Sequence, residues 1–198
     1  MKALTTTLLL ALAATSALAE EHSTANFLEL NTRLTSIDFD DYSLDADGYG
    51  LLFSTDISRG FSLLADYENL DFDTLNYLDT GRSQDRYEFG LGYQRALLPN
   101  MGVYASLRWA TLESKFDSGS QTDNGLTGDA GLRFWLVDDF EFDTGLRYSD
   151  INDPVAQTTR SMSITGTARW HLADRFSLSL GGEHGEYESA WTGSFRYD

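Results

Sequence analysis

Apolar and polar residues alternate with a period of two along most of the chain. In Tyr87–Tyr93, aromatic or aliphatic residues occupy every second position, and Glu88, Gly90 and Gly92 stand between them. The stretch Phe140–Ser149 repeats this order. Successive side chains of a β-strand point to opposite sides, so the pattern predicts strands with one apolar and one polar face.

Read throughout the chain, the alternation predicts ten strands, at about 27–38, 47–57, 60–72, 85–97, 102–114, 125–137, 140–150, 160–172, 175–186 and 188–198. Eight strands are the alternative, if the first or last pair is misassigned. Short turns are expected at 56–60, 98–101, 137–139 and 173–175. Longer polar loops are expected at 39–46, 73–84, 115–124 and 151–159, with a tight connection at 185–188. This layout predicts an all-β fold, a closed antiparallel up-and-down transmembrane β-barrel.

The first 19 residues have the features of an export signal. A short positive start at Met1 and Lys2 is followed by the apolar stretch Leu4–Ala14, and Ala17–Ala19 fits the small-x-small cleavage rule. We therefore expect a signal peptide at 1–19 and a barrel domain at 20–198, in a Gram-negative envelope.

Composition narrows the function classes. The chain has 31 acidic and 14 basic residues, a net charge of −17 and no cysteine. The acidity argues against nucleic acid as a partner, because that affinity comes from Lys and Arg contacts with phosphate. The lack of cysteine excludes disulfide scaffolds and thiolate chemistry. After residue 19, no apolar run approaches the length of a membrane-spanning helix.

Alternation alone does not tell which face points outward, since a soluble barrel buries its apolar face whereas a membrane barrel turns it to lipid. The polar face favours a membrane barrel, because its arginines are interleaved with carboxylates that can pair inside a narrow lumen. Beyond the expected signal peptide, Lys115 is the single lysine. The charge network expected in the lumen comprises Glu29, Arg33, Asp66, Glu68, Arg86, Glu88, Arg108, Asp129, Arg133, Glu141, Asp143, Arg147, Arg169, Glu183 and Arg196.

Aromatic residues stand near both ends of the apolar face, as in the interfacial girdles of membrane barrels. The chain also ends on an alternating strand, in which Gly193, Phe195 and Tyr197 match the final strand of outer-membrane barrels. Asp198 departs from that pattern by adding a charge after the last aromatic residue. In these features the chain resembles the small OmpA/OmpX-like and opacity-type surface barrels.

The resemblance implies a bacterial outer-membrane location and contact with membrane lipids and lipopolysaccharide. It also implies delivery by the barrel-assembly machinery through the C-terminal strand, and a monomer without cofactor. The function we expect is non-enzymatic, an envelope-structural or surface-interaction role carried by acidic outer loops. A narrow channel for ions or small solutes is the alternative.

Two further kinds of site have weaker sequence support. Asp45 and Asp47 have the spacing of a calcium loop, but Ser43 and Ser54 stand where such a loop needs carboxylates. A lipid hydrolase or protease would need a histidine at the outer rim, and only His184 is expected there. Its spacing from neighbouring acids and Ser189 does not match those enzymes, so we expect no catalytic residues.

Overall fold

The structure, a computed structural model, describes residues 26–39, 43–72, 82–186 and 188–198. The expected signal peptide at 1–19 lies outside the described residues, as do Asp40, Asp41 and most of the expected loop at 73–84. The strands are β1 (Phe27–Asp38), β2 (Ser43–Ser58), β3 (Phe61–Phe72), β4 (Arg82–Leu98), β5 (Met101–Phe116), β6 (Gly119–Val137), β7 (Phe140–Asp150), β8 (Ser161–Ala173), β9 (Phe176–Gly185) and β10 (Glu188–Tyr197).

The ten strands form one closed antiparallel barrel. Each strand pairs with its neighbours in sequence, and β1 closes the barrel by pairing with β10 from Leu28↔Tyr197 to Ile37↔Glu188. The predicted fold class is confirmed, with ten strands and not eight. Among the described residues no helix is long and apolar enough to cross a membrane.

Short turns join the strands at the end of the barrel that carries residues 26 and 198. The β2–β3 turn places Arg59 and Gly60 at φ 52° and 84°, the left-handed region that a tight hairpin needs. Turns of this kind lie on the periplasmic side of outer-membrane barrels, so the opposite end is the expected extracellular end and is named so below.

The strands run further on the extracellular side than the alternation indicated. Residues 43–46, 82–84, 115–116 and 119–124 were expected in loops and are strand in the structure. The β5–β6 connection is therefore a two-residue turn at 117–118, and the expected loop at 115–124 is wrong. In 43–46 the polarity of the two faces reverses, and residues 82–84 and 119–124 are polar or glycine on both faces. A pattern that requires an apolar outer face therefore misses these extensions.

Within the membrane-facing part, all ten strands present exposed large apolar side chains outward. Beyond Tyr49 the pattern of β2 changes: Asp45 and Asp47 point outward and are exposed, whereas Leu44 and Ala46 point inward and are buried. The reversal follows from the surroundings, because a barrel wall that leaves the lipid has water outside and packs its apolar residues inside.

Candidate functional site

The lumen is the candidate site. Each of the fifteen residues expected there forms at least one ion pair with another luminal side chain. These pairs form two separate groups, which we call the upper and the lower network.

The upper network lies toward the extracellular side, and Arg33 links three of its acids. Arg33 Nη2 is 2.7 Å from Glu188 and 3.2 Å from Glu183, and its Nη1 is 3.7 Å from Glu68. Glu188 is a member that the sequence did not indicate, because it opens β10 directly after a turn. The network consists of Arg33, Arg86, Arg108, Arg147, Asp66, Glu68, Glu88, Asp129, Glu183 and Glu188.

The lower network lies near the periplasmic end. It consists of Glu29, Arg133, Glu141, Asp143, Arg169, His171 and Arg196. Arg133 holds Asp143 through two 2.9 Å hydrogen bonds, and the Arg196 guanidinium stands 3.7 Å over the ring of Phe27.

Strand register explains why these charges meet. Several pairs occupy directly opposite positions on neighbouring strands, namely Glu29↔Arg196, Asp129↔Arg147, Arg133↔Asp143 and Glu141↔Arg169. Opposite charges at such positions attract each other. In a lumen of low dielectric constant a buried charge is costly unless it is paired and hydrogen-bonded, so the loss of one partner would leave an uncompensated charge.

A cavity of about 300 Å³ remains between the networks. Its lining includes Asn31, Asp66, Glu68, Tyr104 and Arg108. The Tyr104 ring lies against the inner surface of the wall, over the cross-strand pair Gly131 and Gly145. A Cβ at Gly131 or Gly145 would stand 2.5 or 2.6 Å from the Tyr104 hydroxyl. Tyr104 thus fills only part of the lumen.

Above the upper network, a cluster of apolar side chains, which we call the apolar cap, lies inside the extracellular end of the barrel. Its buried members are Ile37, Leu44, Ala46, Leu70, Phe72 and Val155, and Phe39, Phe116 and Ala156 pack against them. Val155 and Ala156 belong to the β7–β8 loop, so this loop folds into the mouth of the barrel.

Hydrogen bonds hold that loop in place. One carboxylate oxygen of Asp153 accepts bonds from the backbone N–H groups of Val155 (2.8 Å) and Ala156 (3.1 Å). The same oxygen accepts a 2.8 Å bond from the side-chain amide of Gln84, which also donates to Ser114 at 3.1 Å. The loop is therefore fixed both internally and to the wall.

On the outside of the barrel, Asp85 lies where β4 extends beyond the membrane. It accepts hydrogen bonds from Tyr67 (2.7 Å), Asn69 (3.0 Å) and Lys115 (2.5 Å). Burial alone would raise the pKa of Asp85, but these hydrogen bonds outweigh it and lower the pKa below its ordinary value. They keep the carboxylate charged at neutral pH.

The structure separates the acids that surround His184 in sequence. Glu183 and Glu188 face the lumen and bind Arg33, whereas His184 faces outward. There its Nδ1 lies 2.8 Å from the hydroxyl of Ser189, a proximity that sequence spacing did not indicate. Within the described residues no carboxylate pairs with the His184 ring, so the third group of a catalytic triad is missing from this site.

Asp45 and Asp47 project from the outer face of β2 into solvent. In the part of the chain that the structure describes, no group of three or more His, Cys, Asp or Glu residues could hold a metal ion. Both residues of the calcium-loop spacing thus lie in the extended strand β2.

Comparison with known proteins identifies the family to which the fold belongs. The family model described as "Outer membrane protein beta-barrel domain" matches residues 5–182. No protein with a curated description matches the chain.

Three solved structures illustrate the structural likeness. Neisserial surface protein A has 13% identity and a TM-score of 0.52, over 88% of this chain and 97% of that one. The NanC porin has 10% identity and a TM-score of 0.52, over 85% and 99%. The translocator domain of the autotransporter NalP from Neisseria meningitidis has 10% identity and a TM-score of 0.53, over 100% and 96%. At these identities the likeness concerns the fold alone.

Proposed function

The chain belongs to the outer membrane protein β-barrel family, and from that premise we propose that it serves as a closed barrel with a structural or surface-interaction role. It resides in the bacterial outer membrane. The apolar cap is the observation that carries the proposal.

A channel needs a continuous wet path through the lumen. Here the buried side chains of the cap, with Val155 only 2% exposed, occupy the extracellular mouth. Beneath the cap, Arg33 and Arg108 are 8% and 5% exposed and pair along the luminal wall with Glu183 and Glu88 of nearby strands. Apolar packing and paired charge together oppose the passage of ions.

The surface left for interaction is the extracellular rim, which carries exposed acids such as Asp45, Asp47 and Asp71. We place lipopolysaccharide and membrane lipids around the barrel as partners, and the barrel-assembly machinery at β10 during insertion. The molecule acts as a monomer in this proposal, because the exposed apolar side chains suit lipid on every strand.

Planar-bilayer recording tests the closed state. The wild-type protein should show no stable conductance. The double variant Gln84→Ala/Asp153→Ala, which removes the bonds that hold the β7–β8 loop, should show discrete openings. Gln121→Ala is the matched control, because Gln121 is an exposed hairpin residue whose side-chain amide donates to nearby Asp123 and not to the β7–β8 loop as described, and it should stay silent. Steady wild-type conductance, equal to that of the double variant, would refute closure and support the channel alternative.

Catalysis is not part of the proposed function. We expect purified protein to leave lipid A acyl chains and casein intact, as measured by mass spectrometry and gel electrophoresis. Cleavage that disappears in both His184→Ala and Ser189→Ala would contradict this expectation and assign the pair a hydrolytic role.

A further inference from the structure

The hairpins at the periplasmic end share one irregularity. In the β2–β3, β4–β5, β6–β7 and β8–β9 hairpins the strand register shifts by one residue just before the turn. The residue inserted at each shift is aliphatic, and the four are Ile57, Leu97, Leu136 and Leu172. We call these four residues the periplasmic ring. Such a β-bulge sets two residues of one strand opposite a single residue of the next, so it adds a side chain to the wall at the turn.

The ring residues point outward and are not covered by the protein. Each continues the outward alternation of its strand, as Leu136 does after Leu132 and Phe134. Their exposed fractions lie between 45% and 65%. The extracellular β5–β6 hairpin differs, because its register runs without a shift to the turn and its outward pair Lys115 and Ser120 is polar. Exposed aliphatic residues at one level of four hairpins indicate apolar surroundings at that level.

The ring also sets the height of the apolar outer surface. On β4 the unbroken apolar and aromatic outward positions run from Tyr87 to Tyr93, a height of only about 15 Å for a strand tilted by ~40°. With Leu97 the height becomes about 25 Å, which is the height of the apolar band of outer-membrane barrels. The same ten-position span separates Leu126 from Leu136 on β6. The ring therefore completes the apolar band at its periplasmic edge.

Polar and charged residues begin directly beyond the ring. The turn tips carry Arg59 in the β2–β3 hairpin, Asp138 and Asp139 in the β6–β7 hairpin, and Asp174 and Arg175 in the β8–β9 hairpin. A change from aliphatic to charged side chains within two residues is expected at a boundary between acyl chains and water. Arg95 also faces outward on β4. Its long apolar stem allows the guanidinium group to reach the headgroup level.

We propose that the periplasmic ring lies among the acyl chains of the inner-leaflet phospholipids and fixes the depth of the barrel, with the turn tips at the lipid headgroups. Lipid is the occupant that the structure favours, because the ring continues the lipid-facing surface of the wall. A protein partner would need a patch on one side, whereas the ring belongs to four hairpins distributed around the barrel. The proposal depends on the outer-membrane location and holds whether the lumen is closed or conducts.

Electron paramagnetic resonance of single nitroxide labels tests the location of the ring. The chain has no cysteine, so Leu136→Cys provides one labelling site, and Asp138→Cys at the turn tip is the matched control. The refolded barrel is measured in nanodiscs of phosphatidylethanolamine and phosphatidylglycerol, with oxygen, which enters the acyl-chain region, and with a nickel chelate, which stays in water. The ratio of oxygen to nickel collisions should be at least about fivefold higher for Leu136→Cys than for Asp138→Cys, because the polar chelate is excluded from an apolar region.

Bilayer thickness provides an independent test. The quadruple variant Ile57→Asn/Leu97→Asn/Leu136→Asn/Leu172→Asn has a shorter apolar band than the wild type. Its folded fraction, read from the gel-mobility shift on boiling, should therefore fall at least about twofold below wild type in dioleoyl phosphatidylcholine bilayers and recover in the thinner dilauroyl ones. Asp138→Asn, a polar change at the same turn level, should follow the wild type in both lipids.

Three results would overturn the proposal. A label at Leu136→Cys that nickel reaches as readily as at Asp138→Cys would place the ring in water. A label shielded from both oxygen and nickel would mean that protein, such as a second copy of the chain, covers the ring. A partial loss of folding that is equal in thick and thin bilayers would give the bulges a structural role only. If the quadruple variant folds in neither lipid, the label measurements decide the question.

Discussion

At the residue scale, Asp85 is the group whose protonation should matter most on the extracellular side. Its pKa is lowered in the folded barrel, so it contributes stability that is present above the unfolded-state pKa of about 3.9. That contribution is lost as pH falls below this value and through the folded-state pKa. The affected window therefore lies on the acid side of pH 4.

Asp85→Asn should lower the free energy of unfolding at pH 7 by about 1–2 kcal/mol, because hydrogen bonds to a charged acceptor are replaced by weaker ones. Urea unfolding followed by the gel-mobility shift on boiling measures it. The difference between variant and wild type should shrink as pH falls from 7 to 3. Lys115→Met should have a smaller effect, because the lysine is half-exposed while Tyr67 and Asn69 still bind the carboxylate. A difference that grows toward acid pH would contradict this assignment.

At the element scale, the first three strands carry the reversal of polarity. In β2, Leu44 is 2% exposed within the apolar cap, whereas Leu34 of β1 is 62% exposed on the lipid-facing side. Leu44→Ala should cost about 2–4 kcal/mol of unfolding free energy, because it leaves a cavity among fixed neighbours. Leu34→Ala should cost less, since lipid or detergent fills the space. Urea unfolding midpoints measured in lipid vesicles of one composition compare the two variants. An equal loss of unfolding free energy in both would show that the cap is not packed.

Ten strands and their lipid-facing side were predictable from the sequence because alternation in Tyr87–Tyr93 or Phe140–Ser149 directly reports which side chains share a face. The extracellular extensions were not predictable in the same way. Leu44 and Ala46 alternate with Asp45 and Asp47 as regularly as any strand, but an acidic outer face reads as a loop when lipid is assumed outside. The change of solvent along one strand has no local signature in the sequence.

At the scale of the whole molecule, the sequence indicates which residues face the lumen but not which of them pair. Alternation placed fifteen charged residues on one face, but their partners depend on register and on barrel closure. Glu29 and Arg169, for example, lie on strands that are distant in sequence and meet at 3.0 Å across the lumen. The fold of the β7–β8 loop into the mouth depends on Gln84 and Asp153, which are 69 positions apart. Such contacts follow only from the closed barrel.

The closed barrel also predicts that breaking an ion pair inside the lumen lowers the unfolding free energy more than breaking one on the outside. Arg33 is 8% exposed and pairs with three carboxylates, so Arg33→Ala leaves buried charges uncompensated and should cost about 3–5 kcal/mol. Arg160→Ala is the control, because the side chains of Arg160 and its partner Asp150 are 71% and 46% exposed, and it should cost at most about 1 kcal/mol. Urea unfolding in vesicles measures both. Added salt should reduce the small loss of unfolding free energy in Arg160→Ala and leave the loss in Arg33→Ala nearly unchanged. The reason is that salt screens exposed charges far more than charges inside the lumen. Equal losses for the two variants would mean that water fills the lumen and weakens its pairs to surface strength, which would also argue against the closed state.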